Sequence, residues 1–279
     1  MSATGPDIVC VGMEKAGTGW LHDQLAHADG AWMTPVKELN FFHGDPFTPF
    51  NLHRAAVLRR QPGLPARDRA FLDAFEAGRA RGKDLAWYRS LFACGEGLVT
   101  GDVSPNYAMA TPEEIRAAVS AHPRARFVLL LRHPVERAWS AICMRVRKAE
   151  LASSEIAEPN RVAALLSTPE YALRSYPTAI ADNWSAALPP GALRYWFLED
   201  IAAEPVRVRD EILAFAGLPG ANVALAPDYN RKKDTWKLPM PPIVEARLND
   251  VFAGEIDACA ERFGGRALEW RDHRARVRG

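Results

Sequence analysis

A glycine-rich loop near the N-terminus is the first segment of this chain whose residue types and spacing could support binding or catalysis. Residues 12–19 read Gly-Met-Glu-Lys-Ala-Gly-Thr-Gly and lie between an apolar run and an amphipathic stretch. Glycines let the backbone bend so that several N–H groups converge, and the dipole of a following helix adds positive potential. Lys15 adds a full positive charge inside the loop. The pattern predicts a site for a phosphate-like anion, and a plain turn between strand and helix is the alternative.

The spacing of the loop is close to that of a nucleotide-binding P-loop, with one clear difference. A P-loop carries its lysine directly after the second glycine, and this chain has Thr18 at that position. The lysine instead lies two residues before Gly17. This difference argues against a nucleoside triphosphatase, and a small-molecule kinase that uses ATP stays open as an alternative at this point.

A second candidate anion site lies in residues 127–140, Phe-Val-Leu-Leu-Leu-Arg-His-Pro-Val-Glu-Arg-Ala-Trp-Ser. The apolar run predicts a buried strand that delivers Arg132 to its carboxyl end. Pro134 opens a helix, and Ser140 follows roughly one and a half turns later. A guanidinium fork and a hydroxyl can then meet one phosphate. The alternative is a surface ion pair between Arg132 and Glu136.

Both sites need a sheet that brings the ends of their strands to one edge. Apolar runs predict strands at residues 8–11, 98–100, 127–131 and 193–198. Helices are predicted at residues 18–27, at 113–121 with Thr111 as N-cap, from 134 to about 148, and after Pro205 and Pro242. The alternation indicates an α/β fold with a central, mainly parallel sheet flanked by helices, and a P-loop-like strand–loop–helix site.

Two stretches, residues 44–65 and 153–177, lack a regular pattern and are rich in Pro, Arg or Ser. We expect long loops there, of the kind that act as lids or binding loops. The basic tail from about residue 271 is expected to be mobile. No linker divides the chain, so residues 1–279 are expected to form one domain.

The overall composition narrows the class of protein. Hydrophobic residues make up 48% of the chain, charged residues 25%, and the net charge is +1 at pH 7. A charge so near zero argues against a general nucleic-acid binder. The N-terminus has no basic region followed by a long apolar run, and the four cysteines and seven histidines show no metal-ligand spacing. We expect a metal-free, cytoplasmic protein with reduced thiols and no membrane anchor.

Taken together, the two candidate sites resemble those of the sulfotransferases that use 3′-phosphoadenosine-5′-phosphosulfate (PAPS). Residues 14–19 look like the loop that binds the 5′-phosphosulfate in that family. Arg132 and Ser140 are similar to its 3′-phosphate motif, in which an arginine ends a strand and a serine follows in the helix. The combination is more specific than either motif alone.

Further segments carry the same resemblance in family order. Residues 101–107, Gly-Asp-Val-Ser-Pro-Asn-Tyr, are similar to the segment between the two sites. Residues 37–42, Lys-Glu-Leu-Asn-Phe-Phe, are similar to a stretch of the branch that includes the heparan sulfate glucosaminyl sulfotransferases and their bacterial relatives. The likeness continues through residues 87–88 and 197–200 to the predicted helix that ends at Gly217, and so covers most of the chain.

Two positions depart from the family pattern. Gly19 stands where the family commonly has Thr, Ser or Arg, so one side-chain contact to the 5′-phosphate is expected to be missing. Val103 stands where several glucosaminyl members carry a lysine, which argues against a heparan-like acceptor.

The resemblance implies in-line transfer of a sulfuryl group from PAPS to a hydroxyl or amine of a small-molecule or glycan acceptor, with no metal required. Lys15 is then the candidate cation at the leaving oxygen, and Glu38 the candidate carboxylate base for the acceptor proton. His43 is a weaker candidate for the base. A non-catalytic nucleotide-binding module on the same fold is the alternative from a different class.

The residues implied by the resemblance fall into two sets. The donor contacts are Lys15, Ala16, Gly17, Thr18, Gly19, Trp20, Arg132 and Ser140, with the basic run Arg231, Lys232 and Lys233. The acceptor side is predicted to include Lys37, Phe42, His43, Trp87 and Tyr107. A solvated surface is the alternative for the basic run, and core packing for the last two aromatic residues.

Overall fold

A parallel sheet organises the chain in the computed structural model, which describes residues 5–80, 84–166, 168, 171, 173–218, 225–227 and 238–278. The strands within these residues are β1 (Ile8–Gly12), β2 (Ala31–Met33), β3 (Val99–Val103), β4 (Arg126–Leu131) and β5 (Leu193–Phe197). Their order across the sheet is β2-β3-β1-β4-β5, and every neighbouring pair is parallel. The predicted α/β class with a mainly parallel sheet is confirmed.

The central strands β1 and β4 are buried along their length, apart from Arg126 at the start of β4. Continuous apolar runs are typical of strands that are covered on both faces. The two strands stay paired beyond the end of β1, because the Met13 N–H donates to the Leu130 carbonyl at 2.9 Å. The loops that follow β1 and β4 therefore begin side by side at the carboxyl edge of the sheet.

Helices flank the sheet, and proline opens seven of those within the described residues, where its fixed φ suits the first helical position. They are α1 (Thr18–Ala26), α2 (Pro49–Arg59), α3 (Ala66–Arg79), α4 (Leu85–Phe92), α5 (Pro112–Ala121), α6 (Pro134–Arg147), α7 (Pro159–Leu166), α8 (Pro177–Ala187), α9 (Leu198–Ala203), α10 (Pro205–Ala216), α11 (Pro242–Val251), α12 (Ala253–Phe263) and α13 (Arg266–Arg278). No helix in the described part of the chain is long and apolar enough to cross a membrane.

The predicted helix ends are confirmed where the sequence carries a capping signal. Thr111 caps α5 in a capping box with Glu114, in which each side chain accepts a hydrogen bond from the other residue's backbone N–H. Gly217 ends α10 in the left-handed conformation, at φ +82°. These local signals mark where α5 begins and where α10 ends.

The prediction of an irregular stretch over residues 44–65 is wrong, because it contains α2. The Thr48 side chain caps this helix by accepting from the Asn51 N–H at 3.2 Å. The fully buried positions of the helix are Asn51 and Ala55. A helix with so little buried apolar surface carries a weak sequence signal.

The prediction for residues 153–177 is wrong in the same way. This stretch contains α7 and two short 3₁₀ turns, Glu155–Ala157 and Leu173–Ser175. α7 has eight residues, which is too short for a sustained helical period. Residues 271–278 belong to α13, where Arg274 pairs with Asp257 at 2.5 Å, and the mobility expected of this tail stays a prediction.

A second, smaller hydrophobic core lies beside the one that surrounds the sheet. It packs residues of α3 and α4 against the chain that follows β2, and its largest buried members are Trp32, Phe41, Phe71, Phe75, Trp87 and Tyr88. The ring of Tyr88 stacks on Phe41, with centroids 4.4 Å apart. This core therefore supports the segment that carries Glu38.

Candidate active site

The loop between β1 and α1 has the backbone shape that an anion site requires. Gly17 precedes the helix at φ +97°, and Lys15 is also left-handed at φ +71°. A Cβ added at Gly17 would lie 3.0 Å from Leu198 Cδ1, so glycine is needed for space as well as for conformation. No side chain caps α1, which leaves the N–H groups of its first turn facing the loop.

The sequence predicts that Ala16 contacts the donor, but in the structure its N–H is already used within the loop. Its N–H donates to the Met13 carbonyl at 3.1 Å and so closes a turn within the loop. Ala16 is fully buried, and Thr18 and Trp20 are 7% and 5% exposed. The Trp20 indole donates to the Pro227 carbonyl at 2.6 Å, so its ring serves packing while its backbone lies in the first turn.

Arg132 joins the second predicted site directly to the first. Its Nη1 donates to the Lys15 carbonyl at 3.0 Å, and its Nη2 pairs with Glu136 Oε2 at 3.1 Å. The Arg132 side chain is 11% exposed, so its charge is held close to the loop. The ion pair that the sequence offered as an alternative is thus present, and it coexists with the contact to the anion loop.

One face of α6 is turned towards the same loop. Glu136, Ser140 and Met144 are spaced four residues apart and share this face. Glu136 contacts Arg132, and Met144 Sδ lies 3.8 Å from Lys15 Nζ. Ser140 lies between them on the helix and so belongs to the same face of α6.

Glu38 is held at the carboxyl end of β3, the strand on the other side of β1. Its N–H donates to the Val103 carbonyl at 3.2 Å, and its own carbonyl accepts from Asn51 Nδ2 at 3.0 Å. Glu38 and Asn40 both have left-handed backbones, at φ +60° and +49°. The candidate base is therefore carried by a tightly shaped turn at the same sheet edge as the anion loop.

The electrostatic surroundings of Glu38 include the anion loop itself. Burial raises the pKa of the Glu38 carboxyl, and the neighbouring Lys37 charge opposes this rise. The negative charge of Glu14, from the anion loop, raises the pKa further, while Arg174 lowers it. Burial also lowers the pKa of the Lys37 ammonium. A carboxyl with a raised pKa, near charges from two other segments, has the properties of a general base.

Arg174 is a site residue that the sequence analysis missed. Its Nη2 donates to Asn106 Oδ1 at 2.6 Å, and its Nε lies 3.7 Å from Glu14 Oε2. It belongs to the Leu173–Ser175 turn, within a stretch that the sequence presents as irregular. The one available signal was Asn106, which lies in the family-like segment 101–107.

A buried arginine on α6 anchors that turn. Arg137 is fully buried, and its Nη2 donates to Ser175 Oγ at 2.9 Å. Burial lowers its pKa to about 10, with Glu14 opposing and Arg174 and Arg132 adding to the shift. α6 therefore carries Ser140 towards the anion loop and, through Arg137, also supports the turn that carries Arg174.

The predicted acceptor-side aromatic residues lie in packed positions. Tyr107 is fully buried, and Trp87 is buried with its indole N–H donating to the Ala74 carbonyl at 2.8 Å. Phe42 packs its ring edge against Phe41, 4.9 Å between centroids. His43 Nδ1 lies 2.8 Å from Glu114 Oε2, at the start of α5. The structure brings these residues together around the Glu38 segment as supporting structure.

The predicted basic run Arg231, Lys232 and Lys233 lies outside the described residues. Among the residues that the structure does describe, no group of three or more His, Cys, Asp or Glu is placed to hold a metal ion.

The parallel sheet, flanked by helices, and the strand–loop–helix turn from β1 to α1 define the P-loop-like α/β class. The model of the sulfotransferase family matches residues 6–222 of this chain. The chain therefore belongs to the sulfotransferase family and is an enzyme of that class. A search of curated proteins finds no match.

Solved structures of sulfotransferases share the fold. The sulfotransferase from Alicyclobacillus acidocaldarius matches with a TM-score of 0.66 at 22% identity, over 95% of this chain and 98% of the other. The sulfotransferase domain of the Synechococcus PCC 7002 olefin synthase matches with a TM-score of 0.55 at 17% identity, over 89% and 94%. A sulfotransferase domain from the curacin biosynthetic pathway has the same score and identity, over 90% and 97%.

Proposed function

We propose that this enzyme transfers a sulfuryl group from PAPS to a hydroxyl or amine of a small-molecule or glycan acceptor. The observation that carries the proposal is the contact between the two anion sites, in which Arg132 donates to the Lys15 carbonyl at 3.0 Å. A nucleotide with anionic groups at both its 5′ and 3′ positions needs two cationic sites at a fixed separation. A P-loop that binds a nucleoside triphosphate does not need a second cationic site for a 3′-phosphate.

The residues present fit such a donor. Gly17 supplies the left-handed backbone, at φ +97°, with which the loop turns into the first turn of α1. Lys15 and the α1 N–H groups suit the 5′-phosphosulfate, and Arg132 with Ser140 suits the 3′-phosphate. Gly19, at a position where the family commonly has a polar side chain, leaves the loop backbone as the main source of contacts there.

Lys15 has the role of neutralising charge on the leaving group. PAPS, when bound, supplies a sulfuryl group attached to a phosphate that is a good leaving group. A preorganised donor aimed at the oxygen where charge develops contributes about 10²–10³-fold to the rate. The Lys15 ammonium and the α1 N–H groups provide that field without needing to reorganise.

Glu38 has the role of the base. The acceptor hydroxyl or amine must lose a proton as it attacks, and the Glu38 carboxylate accepts it. Burial raises the pKa of Glu38 towards the range in which proton transfer is efficient. Glu14 of the anion loop acts on the same pKa, which supports a base close to the site of transfer.

Thermal shift separates this proposal from an ATP-dependent kinase. Adenosine 3′,5′-bisphosphate is expected to raise the unfolding temperature, because a ligand stabilises the native state according to its affinity. Stabilisation by ATP–Mg²⁺ with no response to the bisphosphate would overturn the proposal.

Transfer itself is tested with radiolabelled PAPS and a broad pool of hydroxyl and amine acceptors. Wild-type protein is expected to label at least one acceptor, and Glu38→Gln to lower kcat by about 10²–10⁴-fold. Binding of the bisphosphate without any transfer would favour the non-catalytic module. The cytoplasmic location and the single domain over residues 1–279 stay predictions.

A further inference from the structure

A fully buried carboxylate, Asp102, lies at the end of β3 beside the segment that carries Glu38. Its exposure is 0%. Three hydroxyl groups donate to it: Tyr88 at 2.7 Å and Tyr107 at 2.9 Å to Oδ2, and Ser104 at 2.7 Å to Oδ1. Hydrogen bonds of this kind compensate for the loss of water around a buried carboxylate.

Two of these hydroxyl groups in turn hold the backbone of the Glu38 segment. Ser104 Oγ accepts from the Asn40 N–H at 3.1 Å, and Tyr107 Oη accepts from the Phe41 N–H at 3.0 Å. A hydroxyl has one proton to donate, and both Ser104 and Tyr107 donate theirs in a hydrogen bond to Asp102. The hydroxyl oxygens are thereby oriented to accept, so the carboxylate sets the direction of both contacts to the segment.

The segment needs such support because its conformation is unfavourable by itself. A left-handed backbone is unfavourable for a residue with a side chain, and Glu38 adopts it; Asn40 is left-handed as well, a conformation that asparagine tolerates better. Contacts from the surrounding structure must offset that cost. The two N–H groups that donate to Ser104 and Tyr107 belong to Asn40 itself and to Phe41, the residue after it.

We propose that Asp102 is a positioning residue for the base: through Ser104 and Tyr107 it fixes the turn at residues 38–41, and so aims the Glu38 carboxyl at the site of transfer. The inference rests on the proposed function, since it takes Glu38 as the base. It goes further by assigning a purpose to the buried Asp102 cluster, which makes no contact with the anion loop among the described hydrogen bonds.

Tyr107→Phe tests the inference, and Tyr88→Phe is its matched control. Both substitutions remove one hydroxyl from Asp102, but only Tyr107 also accepts a hydrogen bond from the segment, at Phe41. The assay is PAPS turnover with water as the acceptor, and it is monitored by measuring the adenosine 3′,5′-bisphosphate that is released. Tyr107→Phe is expected to lower kcat roughly tenfold or more, because small misplacements of a catalytic group are costly. Tyr88→Phe is expected to change kcat by less than about threefold.

The same two variants separate positioning from general loss of structure. The Kd for adenosine 3′,5′-bisphosphate is expected to stay within about twofold in both, because that ligand relies on Lys15 and Arg132. If Tyr107→Phe does not fold, Ser104→Ala replaces it, since it removes the acceptor for the Asn40 N–H. Equal loss of kcat in Tyr107→Phe and Tyr88→Phe would overturn the inference.

A double-mutant cycle with Glu38→Gln decides whether the effect passes through the base. Tyr107→Phe is expected to have little further effect on kcat once Glu38 is replaced, because there is no base left to misplace. The same fold-loss in both backgrounds would overturn the positioning role and leave the base in place. Wild-type kcat in Glu38→Gln alone would overturn the base, and the positioning role with it.

Discussion

Arg132 Nη1 donates to the backbone carbonyl of Lys15 at 3.0 Å, across the gap between the loops that follow β4 and β1. The guanidinium therefore helps to fix the loop that carries the other main cation of the site. The Arg132 side chain and the backbone of the loop that carries Lys15 are thus joined at the same sheet edge. A site of this kind is preorganised, so less of the binding free energy is needed to assemble it.

Removing Arg132 should weaken binding most where the ligand carries a 3′-phosphate. Arg132→Ala is expected to lower the affinity for adenosine 3′,5′-bisphosphate by about 10–100-fold, the effect of losing a charge-assisted contact. Adenosine 5′-phosphate, measured by the same calorimetry, is expected to change much less. Glu136→Gln serves as a control with the opposite expected effect on the affinity for the bisphosphate, because it removes the carboxylate that competes for Arg132 at 3.1 Å. An equal loss for both nucleotides in Arg132→Ala would show that Arg132 does not read the 3′ position.

Gly17→Ala should weaken donor binding beyond its cost to stability. The left-handed backbone at φ +97° disfavours alanine by roughly 1 kcal/mol, and the new Cβ would crowd Leu198. Gly191 has a similar φ of +80° with nothing within 4 Å of an added Cβ. Gly191→Ala should therefore lose similar stability in urea unfolding and keep the wild-type Kd for the bisphosphate. If Gly17→Ala also keeps that Kd, the α1 N-terminus is not the donor site.

The pH dependence of kcat should follow the charges around Glu38. A base must be deprotonated, so kcat should rise with pH through the raised pKa of Glu38. Glu14→Gln removes a charge that raises this pKa, so the midpoint should move to lower pH. Arg174→Ala removes a charge that lowers it, so the midpoint should move to higher pH. Shifts of the same sign in both variants, seen in pH profiles of PAPS turnover, would contradict the assignment.

His133 should make stability fall in acid. Burial lowers its pKa to about 3, and its Nδ1 accepts from the Val135 N–H at 3.2 Å to cap α6. The unfolded chain takes up this proton near pH 6.5 and the native state does not, so stability is lost as pH falls below that value. The contribution is about 1.4 kcal/mol per pH unit.

His133→Asn isolates that effect, because asparagine also caps helices but does not titrate. Urea unfolding between pH 7 and pH 4 should show a shallower loss of stability in the variant than in the wild type. An unchanged slope would mean that other groups govern acid unfolding.

The sequence predicts the local parts of the site better than the distant ones. The anion loop and Arg132 each follow a buried strand directly, so the residue order contains the strand, the turn and the helix start together. Arg174 and Glu14 are far apart in the chain, and their contact depends on how the Leu173–Ser175 turn packs on α6. A single sequence has no periodic signal for such a contact.

Burial of individual aromatic side chains is equally hard to predict. Tyr107 and Trp87 lie within family-like segments, and the sequence predicts them on the acceptor side. In the structure both are buried, and their polar atoms serve Asp102 and the Ala74 carbonyl. An aromatic residue near a motif can either line a cleft or support its wall, and only the packing of the folded chain decides between them: Tyr107 belongs to the core around the sheet and Trp87 to the second core.

The strand order β2-β3-β1-β4-β5 has a consequence for engineering this enzyme. Glu38 follows β2 and Arg132 follows β4, so the two residues approach β1 from opposite flanks. Residues 44–65 lie outside both of the loops proposed to bind the donor, but Asn51 within them donates to the Glu38 carbonyl. An exchange of this stretch for that of a relative would therefore leave the proposed donor contacts unchanged, and it must keep Asn51 if Glu38 is to stay in place.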